Sequence, residues 1–360
     1  MIINEFIPKP YKDLLDSGTV AYSAPSNIAL VKYWGKKAHQ IPANPSISFT
    51  LDNCKTSTIL KFKKKKSGGF SFDVFLEGVI QEDFKPKIEQ FFSRIEKYLP
   101  FLSAYHFVIE TSNTFPHSSG IASSASGMSA LALCLMQVEQ QLNSDISKEF
   151  FNKKASFLAR LGSGSACRSI EGDLIVWGIH SNIQGSSDVV GIKYPYDVHQ
   201  NFKNYRDTIL LVDKGEKQVS STVGHNLMHN HSFAEQRFEQ AHSNMDALIS
   251  VLKSGDLTAF ISIVEREALT LHAMMMSSDP YFILMKPNTL EIINKIWAFR
   301  AKTGLHICFT LDAGANVHVL FPESESEEIQ EFIKNELAVH CQNEHYIEDK
   351  LGQGAQPIKI

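Results

Sequence analysis

Four stretches of this chain set small residues beside cations or an acid in patterns suited to phosphate chemistry. Thr114-Phe-Pro-His-Ser-Ser-Gly-Ile-Ala-Ser-Ser-Ala-Ser-Gly127 runs a small-residue loop straight into an apolar helical pattern that begins near Ser123. Backbone N–H groups can crowd an anion there, and the helix adds the positive end of its dipole. The spacing is neither the Gly-Lys-Ser/Thr of a Walker loop nor G-x-G-x-x-G, so neither of those nucleotide folds is implied. Ala24-Pro-Ser-Asn-Ile-Ala-Leu-Val-Lys-Tyr-Trp-Gly-Lys36 is strand-like and ends in two cations, an indole and a glycine. Arg160-Leu-Gly-Ser-Gly-Ser-Ala-Cys-Arg-Ser169 is a second small-residue loop closed by an arginine, and Phe309-Thr-Leu-Asp-Ala-Gly-Ala-Asn-Val317 places an acid between two apolar runs.

Taken singly, these residues admit both chemical and structural readings. Asp312 stands at a strand-end turn, and the Ala-Gly that follows allows a substrate to come close, so its carboxylate could take or align an alcohol proton. The same Asp-Ala-Gly could instead be a turn whose acid caps its own backbone. Arg168 offers a planar fork of donors for a carboxylate or diphosphate. Lys32 and Asn27 lie five residues apart, which strict strand alternation sends to opposite faces, so a bend is needed for both to reach one site. His225-Asn-Leu-Met-His-Asn-His231 groups three imidazoles without a Cys or Glu partner motif and reads as a polar helix entrance rather than a zinc site. Met274-Met-Met276 reads as core packing or the wall of a cleft.

The elements that must carry these groups follow from periodicity. Ser46–Leu51, Thr58–Lys63 and Phe70–Phe75 alternate polar with apolar, which predicts strands with one wet face. The lysine run at 63–66 with Ser67-Gly-Gly69 reads as a hairpin tip between the last two. Tyr105–Glu110 is a strand leading into the first loop, and apolar steps of three and four predict a helix over 125–142. A second helix over about 146–161 stops at Gly162, a C-cap residue. Asp173–Trp177 returns to strand, 181–196 is a polar connector, and Thr208–Asp213 is the strand that follows. Helical patterns occupy about 230–252, 255–275 and 287–303, Leu305–Leu311 and Asn316–Phe321 are strands that flank Asp312, and a last helix runs over 324–339. There is no internal repeat. Strands mixed with helices in both halves give an α+β protein with two lobes.

Composition is consistent with this. With 360 residues, 43% hydrophobic and 21% charged, the chain can bury two cores. No apolar run reaches the roughly 18 residues of a membrane helix, and the N-terminus has no basic segment ahead of an apolar one, so a cytoplasmic protein without membrane contact is expected. Cys54, Cys134, Cys167, Cys308 and Cys341 are odd in number and scattered, which argues for reduced thiols. A net charge of −4 provides no basic field for nucleic acid, so an anionic ligand has to be held by local cations.

In this order and together, the four segments resemble the diphosphomevalonate decarboxylase family of the GHMP small-molecule kinase superfamily, from about residue 20 to 355. The resemblance implies a two-lobed GHMP-kinase-like fold. An N-terminal ribosomal-protein-S5-like lobe over 1–195 would carry the phosphate loop, and a C-terminal ferredoxin-like α/β lobe over 196–360 would carry Asp312. It implies that ATP, with Mg²⁺, phosphorylates the tertiary 3-hydroxyl of mevalonate 5-diphosphate; phosphate then leaves and CO2 is lost to give isopentenyl diphosphate. By resemblance Asp312, Lys32 and Asn27 are catalytic. Tyr33, Lys36, Ser163, Ser165, Arg168 and Ser221 bind substrate, while Ser118, Gly120, Ser123, Ser124 and Lys217 approach the ATP phosphates. No Mg²⁺ ligand can be named, and a homodimer is implied. Three positions depart from the usual family pattern: Ala315 replaces a proline, Pro45 interrupts Asn-Ser-Ser, and Lys37-Ala-His39 stands where an aspartate is common. A kinase or decarboxylase acting on mevalonate or its monophosphate, and a silent ligand-binding paralogue, are the rival expectations.

Overall fold

The computed structural model describes residues 3–116, 121–215 and 221–360, the last range without the side chains of residues 221 and 222. The first half contains β1 (Ser17–Val31), β2 (Lys36–Lys37), β3 (Ile41–Pro42), β4 (Ser46–Lys64), β5 (Phe72–Leu76) and β6 (Val79–Ile80). These are followed by α1 (Lys85–Ile95), β7 (Tyr105–Asn113), α2 (Ser123–Leu142), α3 (Lys148–Gly162), β8 (Leu174–Trp177) and β9 (Ile192–Lys193). The second half adds β10 (Arg206–Leu210), α4 (Ser221–Asn226), α5 (Ala234–Ser254), α6 (Leu257–Met276) and α7 (Pro287–Thr303). It ends with β11 (Cys308–Thr310), β12 (Val317–Phe321), α8 (Ser326–Phe332), β13 (Tyr346–Lys350) and β14 (Gln356–Pro357).

Two large sheets result, each with its own helical cover, which is the expected α+β arrangement. The first runs β14-β1-β4-β7-β5-β6, with β8 and β9 continuing from β4, and the second runs β11-β12-β10-β13. On one face of the first sheet Leu60, Phe62, Phe107 and Ile109 pack with Leu131, Leu135 and Phe157 of α2 and α3. The other face sends Ile28, Leu30, Ile47 and Phe49 against Met245, Leu248 and Phe260 of α5 and α6, and Ile209, Cys308 and Leu320 of the second sheet join that same core. The two sheets therefore share an apolar layer.

Several local expectations give way to long-range pairing. The predicted strands at 46–51 and 58–63 are one continuous β4. Its first six residues are buried on both faces, because α5 and α6 cover Ile47 and Phe49 while on the opposite face Ser46 meets Arg168 and Thr50 bonds the Gly352 carbonyl. The lysine-rich stretch after Lys64 is not a hairpin tip. Strand β7 inserts between β4 and β5 and pairs β5 in parallel, so the segment is a crossover. Gly162 closes α3 without a left-handed turn; the C-cap is Ser163 in extended geometry, and a Cβ on Gly162 would sit 2.7 Å from Met128 Sδ. The last predicted helix breaks into α8 and a π turn over Ile333–Leu337. Beyond it, β13 and β14 have no forecast from periodicity; β13 pairs β10 and β14 returns to β1.

Candidate active site

Lys32 stands one residue past β1, which carries irregularities between Pro25 and Asn27 and between Ala29 and Val31. These bulges shift the alternation and supply the bend that the spacing of Asn27 and Lys32 demands. Lys32 Nζ lies 3.0 Å from Asp312 Oδ1, with the lysine side chain 2% and the aspartate 29% exposed. Burial lowers the Lys32 pKa below its ordinary value, and Asp312 and Glu267 oppose that shift. Asp312 sits in the turn joining β11 to β12, which is tied down on both sides. His272 Nε2 donates to the Asp312 carbonyl at 3.1 Å, Gly314 N donates to it at 2.7 Å, and Thr289 Oγ1 donates to the Ala315 carbonyl at 2.7 Å. Where the family usually has proline, this chain holds the turn by hydrogen bonds.

The second small-residue loop is a 3₁₀ turn, Gly164–Ser169, whose carbonyls are anchored by helix hydroxyls: Ser129 of α2 donates to Ala166 and Ser156 of α3 to Cys167. That anchoring fixes Arg168, whose Nε donates to Asn27 Oδ1 at 3.2 Å and whose Nη1 donates to Ser46 Oγ at 2.7 Å. The arginine is buried, and among the described residues Asp312 is the carboxylate that acts on it electrostatically. Asn27 is engaged at both ends of its amide, since Nδ2 donates to Ser169 Oγ at 2.8 Å. It stands behind Arg168 and does not border the cleft.

A cleft of about 590 Å³ gathers most of the residues singled out from the sequence. Lys32, Tyr33, Lys36, Ser163, Ser165, Arg168 and Asp312 line it together with Ser123 and Ser124 at the start of α2. No side chain among the described residues caps that helix start, and Ala122 ahead of it is held at φ 43°. The Tyr33 hydroxyl is buried without a hydrogen-bond partner among the described residues, which leaves a polar atom suited to a ligand. Ser118, Gly120 and Lys217 lie outside the described residues, and Ser221 opens α4 with its side chain undescribed. A second surface groove runs along α6 near Arg300, but its acid Glu265 is already paired with Arg300 and Trp297.

Comparison with known proteins gives this geometry a family. A model described as the diphosphomevalonate decarboxylase-like N-terminal domain matches residues 24–189, and one described as the mevalonate 5-diphosphate decarboxylase C-terminal domain matches 208–358. A solved structure described as MDDEF in complex with MVAPP, AMPPCP and magnesium is 30% identical, with a TM-score of 0.81 over 96% of this chain and 100% of that one. The chain belongs to the diphosphomevalonate decarboxylase family. The mevalonate diphosphate decarboxylase of Enterococcus faecalis is 28% identical with a TM-score of 0.80, covering 96% of this chain and 100% of that one. The diphosphomevalonate decarboxylase of Aspergillus fumigatus is 27% identical over 328 residues, 87% of this chain and 79% of the relative. The GHMP-kinase fold expected from the motifs is thus the fold of this family member.

Five further residues, two lining the cleft and three behind it, have no role assigned by the motifs. Lys87 of α1 reaches Ser124 Oγ at 2.7 Å. His225 of α4 accepts from Gly35 N at 3.1 Å through Nδ1 and packs on the rings of Tyr33 and Trp34. Burial pulls its pKa to about 3 and that of His272 to about 4, so both imidazoles are neutral near pH 7. The histidines of the 225–231 run contribute packing and hydrogen bonds, and no group of three metal-ligating side chains occurs among the described residues. Asn44, in the altered Asn-Pro-Ser motif, donates to the Lys32 carbonyl at 2.9 Å. Glu267 accepts from Lys32 N at 2.8 Å. A signal for Glu267 does exist: it occupies the same helical stripe as Phe260, Val264 and Leu271, where an acid is out of place.

Proposed function

We propose that this chain catalyses the ATP-dependent decarboxylation of mevalonate 5-diphosphate to isopentenyl diphosphate, ADP, phosphate and CO2. The observation that carries the reading is the Lys32–Asp312 pair facing, across one cleft, both Arg168 and the start of α2. Asp312 aligns the 3-hydroxyl and receives its proton, and Lys32 balances the carboxylate's charge from 3.0 Å. Phosphoryl transfer asks the protein chiefly for positioning and charge neutralisation, and the remaining residues supply these.

Ser123 and Ser124, with the N–H groups of α2, hold the ATP phosphates beside Lys87; by resemblance Ser118, Gly120 and Lys217 complete that cradle. Tyr33 and Lys36 take the substrate diphosphate with Ser163 and Ser165, and by resemblance Ser221 joins them. Arg168, fixed by Asn27 and Ser46, presents its fork to the substrate carboxylate or diphosphate. Asn27 acts by orienting this arginine. The donor set fits Mg²⁺ held mainly by phosphates, with the Ser123 and Ser124 hydroxyls as the nearby oxygens. When bound, the ion neutralises phosphate charge and aligns the transferring group.

We take residues 1–195 and 196–360 as the two lobes, a division supported by the gap between the matched ranges at 189 and 208. A cytoplasmic homodimer accompanies this reading. It is supported by the absence, among the described residues, of a helix long and apolar enough to cross a membrane and by exposed Phe233, Tyr281 and Ile283. The deciding assay incubates the protein with ATP, Mg²⁺ and each mevalonate phosphate in turn. Isopentenyl diphosphate and phosphate released from the 5-diphosphate are expected. ADP with a stable phosphorylated product would make the protein a kinase, and no turnover would leave a binding protein.

A further inference from the structure

Lys32 is held from behind by groups that never touch the cleft. Its backbone N–H donates to Glu267 Oε2 at 2.8 Å, and its carbonyl accepts from Arg237 Nη2 at 3.1 Å. Arg237 and Glu267 form a bidentate pair at 3.0 and 2.6 Å, with both side chains fully buried. Asn244 Nδ2 donates to Glu267 Oε1, completing the set. These residues come from facing stripes of α5 and α6 that are otherwise apolar, beside Ala241, Met245, Val264 and Leu271.

A buried ion pair is a poor way to stabilise such a layer, because apolar side chains of similar volume do as well or better. What apolar side chains cannot do is bond to both sides of one residue's backbone. The two bonds converge on Lys32, the residue whose ammonium must meet Asp312.

We propose that Glu267 and Arg237 are positioning residues for the reaction: a buried clamp on the Lys32 backbone that sets where its ammonium stands relative to Asp312. This inference rests on the reading given under Proposed function. Among the described residues, the titratable and charged groups facing Lys32 are Asp312 from the β11–β12 turn, Glu267 and His272 from α6, Arg237 from α5, Arg168 from the 164–169 turn and Asp207 from β10. Glu267 supports the charged form of Lys32 while burial opposes it. Removing the Glu267 charge therefore makes Lys32 lose its proton at lower pH.

The test compares wild type with Glu267→Gln, which keeps an acceptor for Lys32 N–H and removes the charge. It should lower kcat roughly 10²-fold, the size expected of a misplacement of about 1 Å. KM for ATP and for mevalonate 5-diphosphate should stay within about two-fold, and the alkaline limb of kcat should move to lower pH. Because Glu267→Gln leaves Arg237 without its counter-charge, Arg237→Met combined with Glu267→Gln is the second variant. It removes one of the two donors to the Lys32 carbonyl, leaving Asn44 as the other, without stranding a charge, and the loss of kcat should persist in it. A folded Glu267→Gln or double variant with wild-type kcat would overturn the proposal.

NMR of lysine labelled with carbon-13 at Cε, with Lys32 assigned through Lys32→Arg, follows the same titration without substrate. A lower midpoint in Glu267→Gln is expected, and an unmoved midpoint counts against the clamp. Should the wild type release no isopentenyl diphosphate, the functional reading fails while this titration still judges the clamp.

Discussion

Lys32 meets Asp312 in a place where burial works against the lysine's charge. Its pKa lies below the ordinary 10.5, so the Lys32–Asp312 pair should dissolve as pH rises through a value under 10.5. Activity is therefore expected to fall on the alkaline side there, and a pH–kcat profile whose limb lies at or above 10.5 would contradict this. Linkage gives the opposite sign for stability. Between the folded and unfolded pKa values the unfolded chain binds more protons, so this group makes stability rise with pH while activity falls. Urea unfolding across the same range separates the two. Asp312→Asn preserves volume and removes the charge that faces the substrate; turnover should drop about 10²- to 10⁴-fold with ATP affinity retained. Near-normal turnover would remove Asp312 from the chemistry. Arg168→Lys cannot serve both Asn27 and Ser46 as the planar fork does. Losing a charge-assisted bond should raise the substrate KM about 10- to 100-fold, read in initial-rate kinetics.

Three helix ends meet at the side of the cleft proposed for the nucleotide. Lys87 of α1 donates to Ser124 at the start of α2, and Ser124 donates to Ser163 Oγ, just past the end of α3, at 3.2 Å. The arrangement adds an ammonium to the positive end of the α2 dipole, the combination that favours phosphate. Lys87→Met should raise the ATP KM by about ten-fold or more and leave that for mevalonate 5-diphosphate in place. Equal effects on both would mean that Lys87 serves the cleft as a whole rather than its nucleotide end. The other side of the cleft depends on a different device, the 164–169 turn, which is pinned by Ser129 and Ser156 from α2 and α3. Movement of either helix would carry Arg168 with it.

Across the molecule, the chain's last strands hold the two sheets in register. Asp349 in β13 is buried and accepts from the backbone N–H groups of Asp52, Asn53 and Cys54 in β4 at 2.7–2.8 Å. Beyond it, Gly352 N donates to the Thr50 carbonyl, and the chain passes so close to Gly172 that a Cβ there would lie 2.1 Å from Gly354 N. Asp349→Ala leaves four backbone donors without that acceptor, the three in β4 and Lys350 N, and should cost roughly 3 kcal/mol or more in urea unfolding. A cost within 0.5 kcal/mol, the usual effect of a surface change, would show that the shared apolar layer alone joins the sheets. Because Thr50 and Gly172 flank the strand and turn that carry Ser46 and Arg168, the same variant should also lower substrate affinity.

The four motifs could be read from the residues because their chemistry is local. A small-residue loop before a helix, an arginine after Gly-Ser-Gly-Ser and an acid before Ala-Gly announce themselves within about a dozen residues, and in this order they named the family. Helices α2, α3, α5, α6 and α7 were legible for a related reason, since a buried stripe repeats every turn. Tertiary structure decided what depends on partners far along the chain. Lys32 and Asp312 are 280 positions apart, and Lys32 and Glu267 are 235 apart. The insertion of β7 between β4 and β5, the two-faced burial of Ser46–Leu51 and the return of β14 to β1 likewise have no signal in a short window. Periodicity states which face of an element is apolar; only the packed molecule determines what covers the opposite face, and the active cleft is built on those faces.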